Sequence, residues 1–356
     1  MKNIEELIQK IKKISLERKL KSGFTLGNTS KAYSGKYYIT PIRITNKMVS
    51  AGVIVYSESE AIKILKKIDG KINYILVDAE KKIPIKYSIS GRKFVNIERL
   101  AREITKKSEL WIYKGNDLAL EAIDMFLTYV TKNELRGLGN KKIAIIGGGN
   151  LGSKLALRLV ERGAKVFLTR RNKLKLKKIV EAINLIKPIN TESKVVGLSN
   201  NIKAAKNADI LIATNDGKKI ITEKIIKNLK NNSILMDAGR GTILGRGLAL
   251  ALKKDINVYR VDINAAFEGL TSTLFYLNDV LKKKLGRKIL NGEKIVSGGL
   301  LAKKNEFVVD NIFKPKFFYG VGDGHGDFIR KIKNNKKLNK KVIAFKKKYK
   351  LKWLKK

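Results

Sequence analysis

The sequence predicts an α/β fold in which a C-terminal Rossmann domain, a doubly wound parallel sheet, follows a smaller N-terminal α/β domain and is joined to it by crossing helices. Three observations carry that expectation. Apolar runs of strand length alternate with amphipathic helical stretches both before and after residue 140, the pattern of parallel sheets covered by helices. The stretch KKIAIIGGGNLGSKLALRLVERGAKVFLTRRN, residues 141–172, sets a glycine run between an apolar strand and an amphipathic helix. Finally, 356 residues, 44% of them hydrophobic, suffice for two cores.

Taken in order, residues 1–20 mix acids and bases at helical spacing and read as a helix, without the apolar core and cleavage site of a signal peptide. GKYYITPIRI and MVSAGVIVYS read as strands, and SEAIKILKKIDG as a helix closed by Gly70. INYILVDAE is a strand whose nearly continuous apolar run suits burial on both faces. NIERLAREITKK is a helix capped by Asn96, ELWIYKG a strand, and NDLALEAIDMFLTYVTKNEL a long helix capped by Asn116 or Asp117. The polar RGLGNKK leads into the second half. There the strands fall at 142–146, 165–169, 208–215, 232–239 and 256–262, with a helix from the glycine run to Arg162 and the helices TEKIIKNLK and GRGLALALKK further on. SGGLLAKKNEFVVDNIF, from residue 297, reads as a helix returning to brace the two domains. The expected division is a substrate and catalytic domain over 1–138, the Rossmann domain over 139–296, the returning helix and loop over 297–330, and a basic amphipathic tail over 331–356.

Composition narrows the function classes. The absence of cysteine excludes disulfides, thiolate catalysis and zinc–thiolate sites, and no metal site is read. No apolar run reaches eighteen residues, and the expected location is cytoplasmic. The net charge is +46, but 62 of the 77 basic residues are lysines scattered through every segment. Arginine forks with interleaved aromatics are missing before the tail, so nucleic acid is disfavoured as partner and a small anionic molecule favoured. The last 26 residues hold 13 lysines and no acid, with Leu338, Val342, Phe345, Tyr349 and Trp353 along one helical face. That face suits packing on the tail's own domain, with an anionic membrane surface or acidic partner as the alternative. A homo-oligomer is expected.

In the glycine run, Gly147 permits the turn, Gly149 lets the backbone approach a pyrophosphate, and Gly152 allows the helix to pack on the strand. Asn150 and Leu151 open the helix whose N-terminus faces the phosphates. NAD-preferring sites carry an acid about twenty residues on; here Thr169, Arg170 and Arg171 occupy those places. A guanidinium grips a 2′-phosphate that a carboxylate repels, and arginine is scarce, with 15 in the chain. The expected cofactor is NADP rather than NAD, with Thr214 at the end of the 208–215 strand lining the same site.

The layout resembles two-domain NADP enzymes of the amino-acid-dehydrogenase-like group, among them shikimate dehydrogenases and methylene-tetrahydropterin dehydrogenases. YKGNDLALEAIDMF looks like the segment that opens the crossing helix in these enzymes. The resemblance implies that Asn116 and Asp117 face the cleft, Asn116 as a substrate ligand and Asp117 as a substrate ligand or half of a proton-transfer pair. VDINAAFEGLTSTL is similar to the tetrahydropterin enzymes' segment beside the nicotinamide, which implies Asp262 at the cofactor and Asn264 at the substrate. IVSGGLLAKKNEF looks like their glycine-rich entry to the returning helix. For the lysine of the shikimate enzymes' Lys–Asp pair, the corresponding region offers only Arg43 or Lys47. A second resemblance, to D-2-hydroxyacid dehydrogenases around NNSILMDAGRGTIL, implies that Arg240 holds a substrate carboxylate. Their catalytic histidine has no counterpart in place, since His325, the one histidine, falls in GVGDGHGDF well beyond it. An NADP-dependent oxidoreductase acting on a small polar substrate, a methylene-tetrahydropterin first, is therefore the leading expectation. The alternatives are a shikimate- or 2-hydroxyacid-type dehydrogenase and a non-catalytic nucleotide-binding sensor. Should the chemistry need a proton donor, Asp117, Lys114 and Lys36 are the candidates.

Overall fold

The structure, a computed structural model, describes residues 2–30, 35–85, 93–215, 217–239, 241–297 and 299–353. Arg240, Gly298 and the Trp353 side chain, all within stretches named above, lie outside that description. The chain divides into two compact units, residues 1–270 and 271–356.

The first unit opens with α1 (Lys2–Glu17), whose Ile4, Leu7, Ile8 and Ile11 recur at three and four and are buried. There follow β1 (Lys21–Asn28), β2 (Tyr37–Ile39), β3 (Arg43–Ile44), β4 (Met48–Val55), α2 (Glu58–Ile68), β5 (Tyr74–Asp78), α3 (Ile97–Ile104), β6 (Glu109–Tyr113) and α4 (Gly115–Val130). The sheet runs β2-β4-β1-β5-β6, with β3 also on β4. β4, β1, β5 and β6 are parallel, while β2 and β3 pair antiparallel with β4. The chain leaves β1 for β4 on one side and then crosses to β5 on the other. The switch point therefore lies between β1 and β5, at the carboxyl ends Asn28 and Asp78.

Two readings of this sheet change. GKYYITPIRI is not one strand but two short ones parted at Pro41, which has no N–H for the ladder. β1, the strand between β4 and β5, is not among the expected strands, because KSGFTLGN has two glycines and only two large apolar residues. The sheet is close-packed here: a Cβ on Gly23 would lie 2.3 Å from Met48 Sδ, and one on Gly52 1.8 Å from the Thr25 carbonyl. Pairing on both edges overrides weak strand propensity.

The second sheet follows the expected rhythm: β7 (Lys142–Ile146), α5 (Asn150–Glu161), β8 (Lys165–Thr169), α6 (Lys173–Ile186), β9 (Val195–Leu198), α7 (Asn201–Ala205), β10 (Ile210–Ala213), α8 (Glu223–Lys227), β11 (Ile234–Asp237), α9 (Gly245–Lys253) and β12 (Asn257–Arg260). All six strands are parallel in the order β12-β11-β10-β7-β8-β9. This is the doubly wound Rossmann sheet, with its switch point between β7 and β10. Separate apolar clusters cover its two faces, one built on Ile143, Ile145 and Leu155, the other on Ala144, Ile146 and Leu211.

The helix α10 (Asn264–Lys283) leads into the second unit. Residues 299–330, expected to begin with a returning helix, contain no helix. They hold instead β15 (Phe307–Val309) and β16 (Phe317–Val321), preceded by β13 (Gly286–Leu290) and β14 (Glu293–Ser297) and followed by α11 (Lys336–Tyr349) and β17 (Lys352–Trp353). Phe307, Val309, Phe318 and Val321 are buried in β-register, and Gly299 and Asn305 take φ of 91° and 66°, which breaks any helix between them. Leu338, Val342 and Phe345 of α11 pack with Ile295, Phe307 and Phe318 in one core. Among the described residues no helix is long and apolar enough to cross a membrane.

Candidate functional site

The glycine run turns β7 into α5 at the Rossmann switch point. Gly147, at φ 122°, occupies backbone that side chains avoid. Its N–H and that of Gly148 donate to the Thr169 carbonyl at 3.2 and 2.7 Å, tying the loop to the end of β8. Thr214, beyond β10, donates its hydroxyl to the Gly147 carbonyl at 2.7 Å. Gly152 is under the most pressure: a Cβ there would lie 2.1 Å from the Gly147 carbonyl and 2.7 Å from Thr214 Oγ1. Gly149, by contrast, has nothing within 4 Å of the place a Cβ would take. It caps α5 without a side-chain bond, so the N–H groups of Asn150, Leu151 and Gly152 lack intrahelical partners. An open cradle facing the positive end of a helix suits a pyrophosphate.

The flanking residues fit the adenosine half. Thr169 is 2% exposed and acts through its carbonyl, while Arg170 bonds the Gly148 carbonyl and so lies against the loop. Arg171 is exposed beside it. Further along the same edge, the Asn215 Oδ1 is buried without a partner, an acceptor that a ribose hydroxyl would satisfy. Asp237, 5% exposed at the end of β11, accepts from the Gly241 N–H at 2.6 Å and the Thr242 hydroxyl at 2.8 Å. It ties the end of β11 to Gly241 and Thr242. Asp262 accepts from the Asn264 backbone and side-chain N–H groups at 2.9 and 3.3 Å, so these two residues organise the start of α10 together.

A second polar group, missed in the sequence, stands at the switch point of the first sheet. Asp78 and Glu80 flank Lys82, whose Nζ lies 3.1 and 2.5 Å from their carboxylates. Their side chains are 4%, 15% and 31% exposed, so the cluster is sunk but open on the lysine's side. The Lys82 N–H donates to Asn28 Oδ1 at 2.9 Å, and Asn28 Nδ2 donates to the Asp78 carbonyl at 3.3 Å. Burial works against the ammonium, but attraction to Asp78 and Glu80 outweighs it and holds the Lys82 pKa above its ordinary value. Asp78 also accepts from the Gly115 N–H at 3.0 Å, and Glu80 from the Asn116 N–H at 3.1 Å. The available signal was an acid ending a wholly apolar strand, followed at once by Glu and Lys.

Asn116 joins the two groups: its Nδ2 faces Asn150 Oδ1 at 3.4 Å, which brings the carboxyl ends of both sheets together. Of the proposed proton donors, Asp117 is paired with Lys154. Lys114 is exposed at the cap of α4, and Lys36 is exposed just before β2, at the carboxyl-end edge of the first sheet. Arg43 and Lys47 sit on the β3–β4 hairpin, where β4 begins, Arg43 with its guanidinium 6.0 Å from the Phe267 ring centre. His325 is exposed in its loop, whose Asp323 accepts the His325 N–H at 2.7 Å.

Comparison with known proteins agrees with the second sheet. Residues 142–240 match the family described as NADP oxidoreductase, coenzyme F420-dependent. A glycerol-3-phosphate dehydrogenase [NAD(P)+] from Clostridium botulinum is 27% identical over 127 residues, 33% of this chain and 37% of that protein. A glutamyl-tRNA reductase from Thermosipho melanesiensis is 34% identical over 92 residues, 26% of this chain and 23% of that protein. The chain thus spans well under half the length of these curated relatives. Among solved structures, L-tryptophan dehydrogenase from Nostoc punctiforme covers 69% of this chain and 72% of its own at 14% identity, with a TM-score of 0.41. The D-lactate dehydrogenase of Escherichia coli covers 62% and 78% at 17% identity, with a TM-score of 0.33. Residues 142–240 are an NAD(P)-binding oxidoreductase domain.

Proposed function

We propose that this chain is an NADP-dependent oxidoreductase that moves a hydride between NADP(H) and a small polar substrate seated between the carboxyl ends of the two sheets. The observation that carries this reading is the open Gly149 cradle at the N-terminus of α5, with Arg170 lying against the same loop. Arg170 and Arg171 select NADP by gripping the 2′-phosphate that an acid in their place would repel. When bound, NADP supplies the hydride. The protein's part is to orient the substrate, exclude water and hold a proton.

Lys82 suits the last role better than Asp117. Its ammonium stays charged, is fixed by two carboxylates and remains partly open, whereas Asp117 is occupied by Lys154. For a carbonyl substrate, the oxygen would take a proton from Lys82 Nζ as its carbon gains the hydride. Asp78, Glu80 and Lys82 together carry one net negative charge, which favours a neutral carbonyl or hydroxyl at that point over an anionic group. A methylene-tetrahydropterin, whose oxidation gives a stabilised cation, needs no such donor and is the substrate to test first alongside hydroxy and keto acids. Titration of NADPH and NADH into the wild type and an Arg170→Ala, Arg171→Ala double variant tests the reading. We expect NADPH to bind at least about tenfold tighter, about 1.4 kcal/mol, and the preference to vanish in the variant. Failure of both cofactors to bind would sink it.

A further inference from the structure

The positive charge is not spread evenly. Residues 271–356 hold 24 basic and six acidic side chains, net +18, whereas residues 1–270 hold 53 and 25, net +28 over a much longer stretch. A general drift of residue usage towards lysine would not load the second unit in this way. Moreover, the unit's acids are largely spent inside it. Glu306 pairs with Arg287 at 3.1 Å and Glu293 with Lys341 at 3.0 Å. Asp310 and Asp323 accept backbone N–H groups at 2.7 to 3.1 Å.

Five of the exposed lysines that remain lie together on α11. Lys336, Lys337, Lys340, Lys347 and Lys348 are exposed and, among the described residues, have no acidic partner. Lys336 and Lys340 are one helical turn apart, about 6 Å along the axis, and Lys347 lies two turns further. Such like-charge neighbours disfavour the helix by themselves. The helix persists because its other face, Leu338, Val342 and Phe345, is anchored in the core of the unit. That anchoring also decides between occupants. A helix that enters a membrane interface must offer its apolar face, and here that face is already buried. A rigid row of ammonium groups over some three turns matches instead an extended line of phosphates.

We infer that the outer face of α11 docks the phosphate backbone of a nucleic acid, without regard to base sequence. Lysines act as point charges and lack the bidentate fork that reads a base edge, so affinity comes with little specificity. This site is separate from the proposed cofactor site and stands or falls independently of it.

The test is an anisotropy titration of the full chain with a labelled oligouridylate across a series of sodium chloride concentrations. Three variants accompany it. One replaces Lys336, Lys337, Lys340, Lys347 and Lys348 with Gln, the second replaces the same five with Arg, and the third replaces five exposed helix lysines of the first unit, Lys10, Lys13, Lys224, Lys227 and Lys253, with Gln. We expect binding that falls steeply with salt. In the first variant affinity should drop by about tenfold or more and the salt slope should become shallower by up to about 3.5, at about 0.7 for each phosphate no longer neutralised. The arginine variant should bind as the wild type does, and so should the first-unit variant. Equal helical circular dichroism and equal elution on gel filtration in all four proteins establish that they are folded. The inference is overturned by equal losses in the two glutamine variants, which would make the attraction diffuse. It is overturned equally by capture on phosphatidylserine vesicles without oligouridylate binding, or by no oligouridylate binding at the lowest salt.

Discussion

Within the glycine run, neighbouring glycines do different work, and substitution separates them. At Gly152 a methyl group has no room, since the Gly147 carbonyl would stand 2.1 Å away. Gly152→Ala should therefore cost about 1–3 kcal/mol of stability and most of the NADPH affinity together. At Gly149 the space is empty and the residue caps α5, a position serine favours. Gly149→Ser should change stability by about 0.5 kcal/mol or less while weakening NADPH, because the new hydroxymethyl occupies the phosphate's approach. Thermal unfolding and calorimetric titration of the two variants check the pair, and equal NADPH affinity in Gly149→Ser would move the phosphates elsewhere. Lys82 makes a prediction in pH. Its folded pKa is raised, so its contribution is complete below the unfolded value, about 10.4, and is lost as pH rises through the folded pKa. Lys82→Met should destabilise by about 1–3 kcal/mol near neutrality, the partial exposure discounted, with the gap to wild type closing above about pH 10.4 in urea unfolding series.

Elements were legible where their own residues argue for them. β7, α5 and β8 follow from apolar strand, glycine turn and amphipathic helix, with a boundary at Arg162 that the structure places as the cap of α5. β1 was illegible because its stability comes from β4 and β5 on either side, interactions that no local pattern encodes. Residues 299–330 misled for a related reason: short β-branched and aromatic runs lie among polar residues, and only the pairing of β15 with β14 and with β16 distinguishes strand from helix. The Asp78–Glu80–Lys82 cluster was hidden similarly, since VDAEKK looks like an ordinary solvated strand end until Asn28 arrives from β1. Between elements, charge is most concentrated where α4 meets α5. Asp124, 1% exposed, takes Arg162 at 2.6 and 2.7 Å and Arg158 at 3.1 Å. Asp124→Asn should cost about 2–4 kcal/mol, because a buried charge-assisted fork is lost. Glu121→Gln, which removes only the open pairing with Arg158, should cost about 0.5 kcal/mol or less. Similar losses in both variants, measured by urea unfolding, would mean that the junction is held by apolar packing rather than by Asp124.

At the scale of the whole molecule, two electrostatic effects oppose each other and salt decides between them. Solvent-facing pairs such as Lys67–Glu5 at 2.9 Å and Lys141–Glu134 at 2.5 Å favour the folded chain only weakly, and screening weakens them further. Against them stands the mutual repulsion of 77 basic residues facing only 31 acids, which the compact state intensifies and screening relieves. The acids offset at most 31 of these charges and leave a net +46, so repulsion should win. The melting temperature should therefore rise between low and physiological sodium chloride, the reverse of what a fold held by surface ion pairs does. The second unit, with the higher charge density, should gain most, so tyrosine and tryptophan probes placed on either side of residue 270 would report unequal shifts. A melting temperature that falls with added salt would mean that the local pairs outweigh the net charge. In that case the lysines of α11 would also be better balanced than their spacing implies.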